Sequence, residues 1–138
     1  MHDGHHRKGL NGQLVGRLIE EGAIRSSRVE NAFRTVFRHW FVPDAPIEEV
    51  YRDTAVVTHR GPDGIPVSSS SQPTVVARML EQLDVQPGHR ILEIGAGTGY
   101  NAALLAQLVG PEGEVVTVDV DPAICARAER LFALKWGA

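Results

Sequence analysis

A chain of 138 residues, 43% hydrophobic and 22% charged, is long enough to bury one core and too apolar to remain disordered. Its net charge of -3 gives no basic face for a phosphate backbone, and no apolar run approaches the roughly 20 residues of a membrane span, so nucleic acid and membrane are excluded as main partners. The opening residues lack the apolar stretch of a secretory signal, and a lone Cys125 allows neither an internal disulfide nor a multi-cysteine metal site, so a cytoplasmic chain without a metal is expected.

His2, His5 and His6 fall in a polar, glycine-containing start that reads as an unstructured tail. Apolar residues then recur as Leu10, Leu14, Val15, Leu18 and Ile19, one face of a helix that Gly22 ends. Ser27 followed by Glu30 predicts a capping box for a second helix, whose buried stripe is Val29, Ala32, Phe33 and Val36. In Arg38-His39-Trp40-Phe41-Val42-Pro43 the proline cannot continue a helix, and the aromatics are expected under a loop, with His39 a hydrogen-bonded structural histidine. Residues 44 to 66 carry little pattern beyond a short strand at Ala55 to Thr58 and a turn at Gly61-Pro62-Asp63-Gly64.

The stretch PVSSSSQPTVV, Pro66 to Val76, poses a question of its own. Four serines between two prolines have the composition of a tether, yet they stand just ahead of a nucleotide-binding pattern. Ser71 is placed to cap the helix that follows, with Gln72 and Pro73 in its first turn and Val75, Val76, Met79, Leu80 and Leu83 as its stripe. After Pro87-Gly88 comes Ile91 to Ile94, read as a strand buried on both faces, then a helix through Ala102, Leu104, Leu105 and Leu108 to Gly110. A second buried strand, Val115 to Val118, ends in Asp119, and Pro122 opens a last helix in which Cys125 is a packing residue. A helical entry followed by β-α-β-α makes this an α/β chain with a parallel sheet and no internal repeat.

The chemistry lies in ILEIGAGTGYNAALL joined to VVTVD. Glycines between a strand and a helix let a backbone approach a ligand, and an acidic residue ending the next strand can accept both hydroxyls of a ribose. A dinucleotide fingerprint starting at Gly95 would need glycine where Tyr100 stands, and no Gly-Lys-Ser/Thr ending marks a phosphate loop. What remains is Glu93, then Gly95, Gly97 and Gly99, then Asp119. This resembles the first motif of the seven-stranded, Rossmann-like class I methyltransferases that use S-adenosyl-L-methionine.

Upstream, VENAFRTVFRHWFVP, Tyr51-Arg52-Asp53 and Ser71-Gln72-Pro73 stand in an order similar to that of the protein-L-isoaspartate O-methyltransferase family. The resemblance runs from about Val29 to the C-terminus. It implies an N-terminal helical cap and substrate-side segment (1–66) and the first half of the S-adenosyl-L-methionine-binding domain (67–138). It implies an enzyme of protein repair that methylates the carboxylate of an L-isoaspartyl residue in a protein or peptide. Ser71 inherits the active-site role, Ser68, Ser69 and Ser70 with Ser71 line the cofactor's methionine end, Glu93 orients loop or cofactor, the three glycines admit it and Asp119 holds its ribose. Ser69 and Ser70 depart from the family's usual Thr-Ile, which exchanges an apolar residue for a hydroxyl beside the substrate pocket. Two other readings follow from that departure and from the glycine loop alone: an aspartate methyltransferase for a biosynthetic precursor peptide, and a non-catalytic cofactor-binding module. With Gly137 placed as a helix-ending glycine before a third strand, the chain is expected to be truncated relative to the family, leaving apolar sheet faces uncovered.

Overall fold

The computed structural model describes residues 2–136, so Gly137, read above as a helix end, lies outside the described residues. Helix α1 spans His2–Glu20, earlier than the apolar period alone marks, because the polar start continues the same helix instead of forming a tail. Leu14, Val15 and Leu18 are its buried stripe, and Asn11 Nδ2 donates to Phe33 O at 3.0 Å. Gly22, at φ +72°, turns the chain so that the Ala23 and Ile24 amides close on Leu18 O.

Helix α2 (Ser27–Thr35) buries Val29, Ala32 and Phe33 as the periodicity predicts, but its cap is one residue earlier. Ser26 Oγ accepts from the Val29 amide, while Glu30 pairs with Arg34 at 2.9 Å and takes no part in a box. A 3-10 turn at Arg38–Trp40 and a short helix α3 (Ile47–Val50) follow. The chain then forms an antiparallel hairpin, β1 (Val56–Arg60) with β2 (Pro66–Ser70), around the predicted Gly61–Gly64 turn. The serine run is therefore a strand paired to its neighbour, and not a tether.

Helix α4 (Pro73–Leu83) begins with Pro73 at its first position and Gln72 at the cap. Val76 and Leu80 are buried, whereas Val75, Met79 and Leu83 of the expected stripe are exposed. Strand β3 (Arg90–Ile94), helix α5 (Tyr100–Val109), strand β4 (Glu114–Val118) and helix α6 (Pro122–Trp136) complete the chain. Strands β3 and β4 pair in parallel, Ile91 opposite Val115 and Glu93 opposite Thr117.

The expectation that these strands are buried on both faces fails. Leu92 is 63% and Ile94 83% exposed, and Val116 and Val118 on the same face are open as well, because only one face is covered by helices. The core is continuous from α1 and α2 to α5, with Phe33 and Phe41 packed against Tyr100 and with Leu104 fully buried. Each such side chain contributes roughly 1.5–3 kcal/mol of burial. Arg28 Nη2 ties α2 to the end of α5 through Leu108 O at 2.9 Å.

Candidate active site

The turn from β3 into α5 is set by three glycines in left-handed backbone: Gly95 at φ +96°, Gly97 at +52° and Gly99 at +87°. Their surroundings differ. A Cβ on Gly95 would meet nothing within 4 Å, one on Gly97 would lie in ordinary contact 3.6 Å from Ser69 O, and one on Gly99 in ordinary contact with Ala128 and Phe41 at 3.5–3.7 Å. The positive φ, and not a lack of room, is therefore what calls for glycine at all three positions, and the open space at Gly95 leaves that part of the loop free to meet a ligand. The loop hangs on the end of β4: the Gly95 and Ala96 amides donate to Val118 O at 2.7 and 3.0 Å. The Gly97 amide donates to Asp119 Oδ2 at 3.3 Å.

Two carboxylates brace this loop in different ways. Glu93 accepts from Asn101 Nδ2 and Thr117 Oγ1, each at 2.6 Å, and so joins β3, α5 and β4 beneath the glycines. Asp119 accepts from the amides of Asp121 and Gly97 at the open end of β4. Those backbone amides, that of Asp121 foremost, hold its carboxyl below the usual carboxylate range against a small opposing effect of burial. An ionised acceptor at a strand end beside a glycine loop is the arrangement that binds a pair of ribose hydroxyls.

Opposite the loop stands the serine segment. Ser69, Ser70 and Ser71 share a cleft of about 260 Å³ with Glu93, Gly95, Gly97, Met79 and Tyr100. Ser68 and Asp119 do not line that cleft, and Gly99 faces the other side of the loop. Ser70 is buried, its Oγ 3.4 Å from Arg38 Nε, which explains how a hydroxyl is tolerated where an apolar side chain was expected. Ser71 is exposed and does not cap α4; that role passes to Asp53, whose carboxylate accepts from the Thr74 amide at 2.8 Å.

A larger groove of about 660 Å³ lies on the far side of the loop, between α5, β4 and α6, walled by residues such as Ala102, Val109, Val115, Cys125 and Phe132. Its walls are mostly apolar, with Thr117 and Glu129 as polar exceptions, whereas the smaller cleft gathers three serines, Glu93 and glycine backbone and is the better equipped to orient a polar ligand. His39, as predicted, makes a structural contact, with Nδ1 2.6 Å from the Tyr51 hydroxyl.

Sequence reasoning missed the residues whose side chains organise the cleft through backbone and carboxylate partners. Arg38 is fully buried, and Asp53, Asn101 and Thr117 anchor backbone or carboxylate. The available signal was a polar or charged residue inside an otherwise apolar run, as in Val36-Phe37-Arg38 and Val115-Val116-Thr117-Val118. Two buried atoms, Tyr100 Oη and Asn101 Oδ1, have no hydrogen-bond partner among the described residues, and both residues are among those that line the cleft. Open glycine backbone, the Ser69 and Ser71 hydroxyls and Glu93 in the cleft, with Asp119 beside it at the end of β4, fit a polar cofactor such as S-adenosyl-L-methionine.

Comparison with known proteins agrees. Residues 9–135 match the family model of protein-L-isoaspartate(D-aspartate) O-methyltransferase. The protein-L-isoaspartate O-methyltransferase of Methanopyrus kandleri is 46% identical over 110 residues, covering 80% of this chain and 46% of the relative. That of Ignicoccus hospitalis is 40% identical over 125 residues, covering 90% and 56%. The chain thus spans about half the length of the curated relatives it matches. A solved protein-L-isoaspartate O-methyltransferase superposes with a TM-score of 0.79 at 34% identity, covering 90% of this chain and 38% of that one. A solved Plasmodium falciparum protein in complex with S-adenosyl-L-homocysteine shares the fold, with a TM-score of 0.75 at 22% identity over 90% of this chain and 55% of that one.

Proposed function

Because the chain belongs to the protein-L-isoaspartate(D-aspartate) O-methyltransferase family, we propose that it methylates the carboxylate of L-isoaspartyl residues in damaged proteins or peptides. The observation that carries this reading is the single cleft in which the Ser69–Ser71 segment faces Gly95, Gly97 and Glu93. S-adenosyl-L-methionine, held there, supplies an electrophilic sulfonium methyl; the new bond is to a carboxylate oxygen, and the carbon–sulfur electron pair returns to sulfur.

The work left to the protein is alignment. The substrate carboxylate is already ionised near neutral pH, so no general base is required. Ser71, exposed at the cleft edge, orients that carboxylate by its hydroxyl. Gly95 and Gly97 let the cofactor's methionine end lie against backbone, Ser69 and Ser70 wall it, and Asp119 holds the ribose from the end of β4. Glu93, already engaged by Asn101 and Thr117, acts by fixing the loop. Holding oxygen, methyl and sulfur in line and excluding water supplies the rate enhancement in such a transfer. In this reading, residues 1–66 serve the substrate side and 67–138 the cofactor side. No described helix is long and apolar enough to cross a membrane, and we place the repair work in the cytoplasm.

The test is transfer of labelled methyl from S-adenosyl-L-methionine to a synthetic isoaspartyl peptide, with the matching aspartyl peptide as control. Label on the isoaspartyl peptide alone, lost in Ser71→Ala with affinity for S-adenosyl-L-homocysteine retained, supports the proposal. Label on the aspartyl peptide instead would favour a precursor-modifying enzyme. Binding without transfer to either would leave a cofactor-binding module.

A further inference from the structure

The serine segment is gripped from outside the cleft by two charged residues. Arg38, in the 3-10 turn, is fully buried, and its side-chain hydrogen bonds among the described residues run to backbone carbonyls and one hydroxyl. Its guanidinium donates to Ser70 O at 3.2 Å and Ser71 O at 3.1 Å on one side, and to Val50 O, Arg52 O and Thr54 O at 2.7, 3.3 and 3.0 Å on the other. A planar fork with several fixed donors suits this bridging of two chain segments, as an ammonium does not.

Asp53 sits in the segment that Arg38 gathers and reaches the other end of the serine run. Its carboxylate accepts from the Thr74 amide at 2.8 Å, the Thr74 hydroxyl at 2.5 Å and Gln72 Nε2 at 3.3 Å, and its carbonyl accepts from Gln72 Nε2 at 3.1 Å. The Ser70–Thr74 backbone is thereby tied at both ends to residues 50–54, while the Ser71 side chain stays exposed at the cleft edge. Nothing about Ser71 itself requires this double anchoring, since it neither caps α4 nor packs in the core.

We propose that Arg38 and Asp53 are positioning residues that hold the Ser71 hydroxyl where the substrate carboxylate is aligned, an inference that rests on the function proposed above. Asp53 is the residue to test first, because it is only half-buried and its loss leaves the core intact. In the 138-residue chain, Asp53→Ala is expected to lower kcat for an isoaspartyl peptide by about tenfold or more. The KM for S-adenosyl-L-methionine and the calorimetric Kd for S-adenosyl-L-homocysteine should stay within about threefold of the parent. Asp53→Asn keeps an oxygen for the Thr74 amide and is expected to restore most of the lost kcat. Arg38→Lys keeps the charge without the fork and should lower kcat in the same selective way.

An unchanged kcat in Asp53→Ala overturns the proposal. So does an equal loss of kcat and of S-adenosyl-L-homocysteine affinity with faster amide exchange through β3 and α5, which is the signature of a general structural role. The proposed function fails separately, when the parent chain transfers no methyl; amide hydrogen exchange then decides. Faster exchange in Asp53→Ala confined to Ser70–Val76 retains the positioning role, and unchanged exchange there removes it.

Discussion

Glu81 Oε1 accepts the Ser26 amide at 2.8 Å and the Ser26 hydroxyl at 3.0 Å, so a residue on α4 completes the cap of α2 from 55 positions away. The same oxygen takes the Arg25 amide at 2.8 Å. This is the work a capping-box carboxylate does locally, performed here across the helix interface. Glu81→Ala is expected to lower stability by about 1–2 kcal/mol in urea unfolding, with Glu81→Gln in between. Burial pulls the Glu81 carboxyl up, but the Arg25 and Ser26 amides and the Ser26 hydroxyl outweigh it, leaving a pKa below the ordinary value. Its contribution is therefore full above the unfolded-state pKa and is lost as pH falls through the lowered one. Parent and Glu81→Gln should therefore still differ at about pH 5 and converge only as pH falls below the ordinary carboxylate range, through the lowered Glu81 value.

The cap also shows why part of this fold was legible in the sequence and part was not. Periodicity located α2, α5 and both parallel strands, since Val29, Ala32, Phe33 and Leu104 are local records of which face is buried. The Ser27 to Glu30 box failed because the partner of the true cap, Glu81, lies far along the chain, and no local pattern registers it. Ser71 failed as a cap for the same reason, Asp53 having taken the Thr74 amide. In the site, the glycine spacing was readable because positive φ demands glycine, whereas Arg38 and Asn101 act through atoms that only folding brings near.

Gly113 is held by close approach and not by its torsions. A Cβ there would stand 2.7 Å from Val109 Cγ2 and from Val109 O, in the turn that leads α5 into β4. Gly113→Ala should therefore cost about 1–3 kcal/mol as overpacking. Gly64→Ala, at φ +79° with open space around it, should cost only the left-handed strain of about 1–2 kcal/mol. Thermal melts of the two variants, with Gly64→Ala the milder, check the distinction.

The uncovered face of β3 and β4 makes a separate prediction. Ile94 and Val118 are 83% and 43% exposed, so Ile94→Thr with Val118→Thr should change stability by no more than about 0.5 kcal/mol each. Binding of a hydrophobic dye to the native chain should fall in the same variant, because the dye reports exposed apolar surface. Leu104→Ala, at a fully buried position of α5, should instead cost about 2–5 kcal/mol. Equal losses from the surface pair and from Leu104 would show that the sheet face is covered in solution.

Asp119, at the end of β4 beside the glycine turn and outside the cleft itself, tests the ribose end of the proposed cofactor site. It stands one residue past β4, accepts from the Gly97 and Asp121 amides, and is the ionised group nearest the glycine turn at that end. Removing it takes away an acceptor for a ribose and the tie that orients the Gly97 amide. Asp119→Ala is expected to weaken binding of S-adenosyl-L-homocysteine by about tenfold or more in calorimetry, a loss of about 1.4 kcal/mol. Asp119→Asn keeps one acceptor oxygen and should fall between. Because the amides of Asp121 and its neighbours hold the carboxyl below the usual carboxylate range, affinity in the parent should stay flat down to the ordinary carboxylate pKa. It should fall only as pH drops through the lowered value, and the Asp119→Asn chain should show no such fall from this group. Undiminished affinity in Asp119→Ala, in a chain that still melts cooperatively, would remove the ribose-binding role of Asp119.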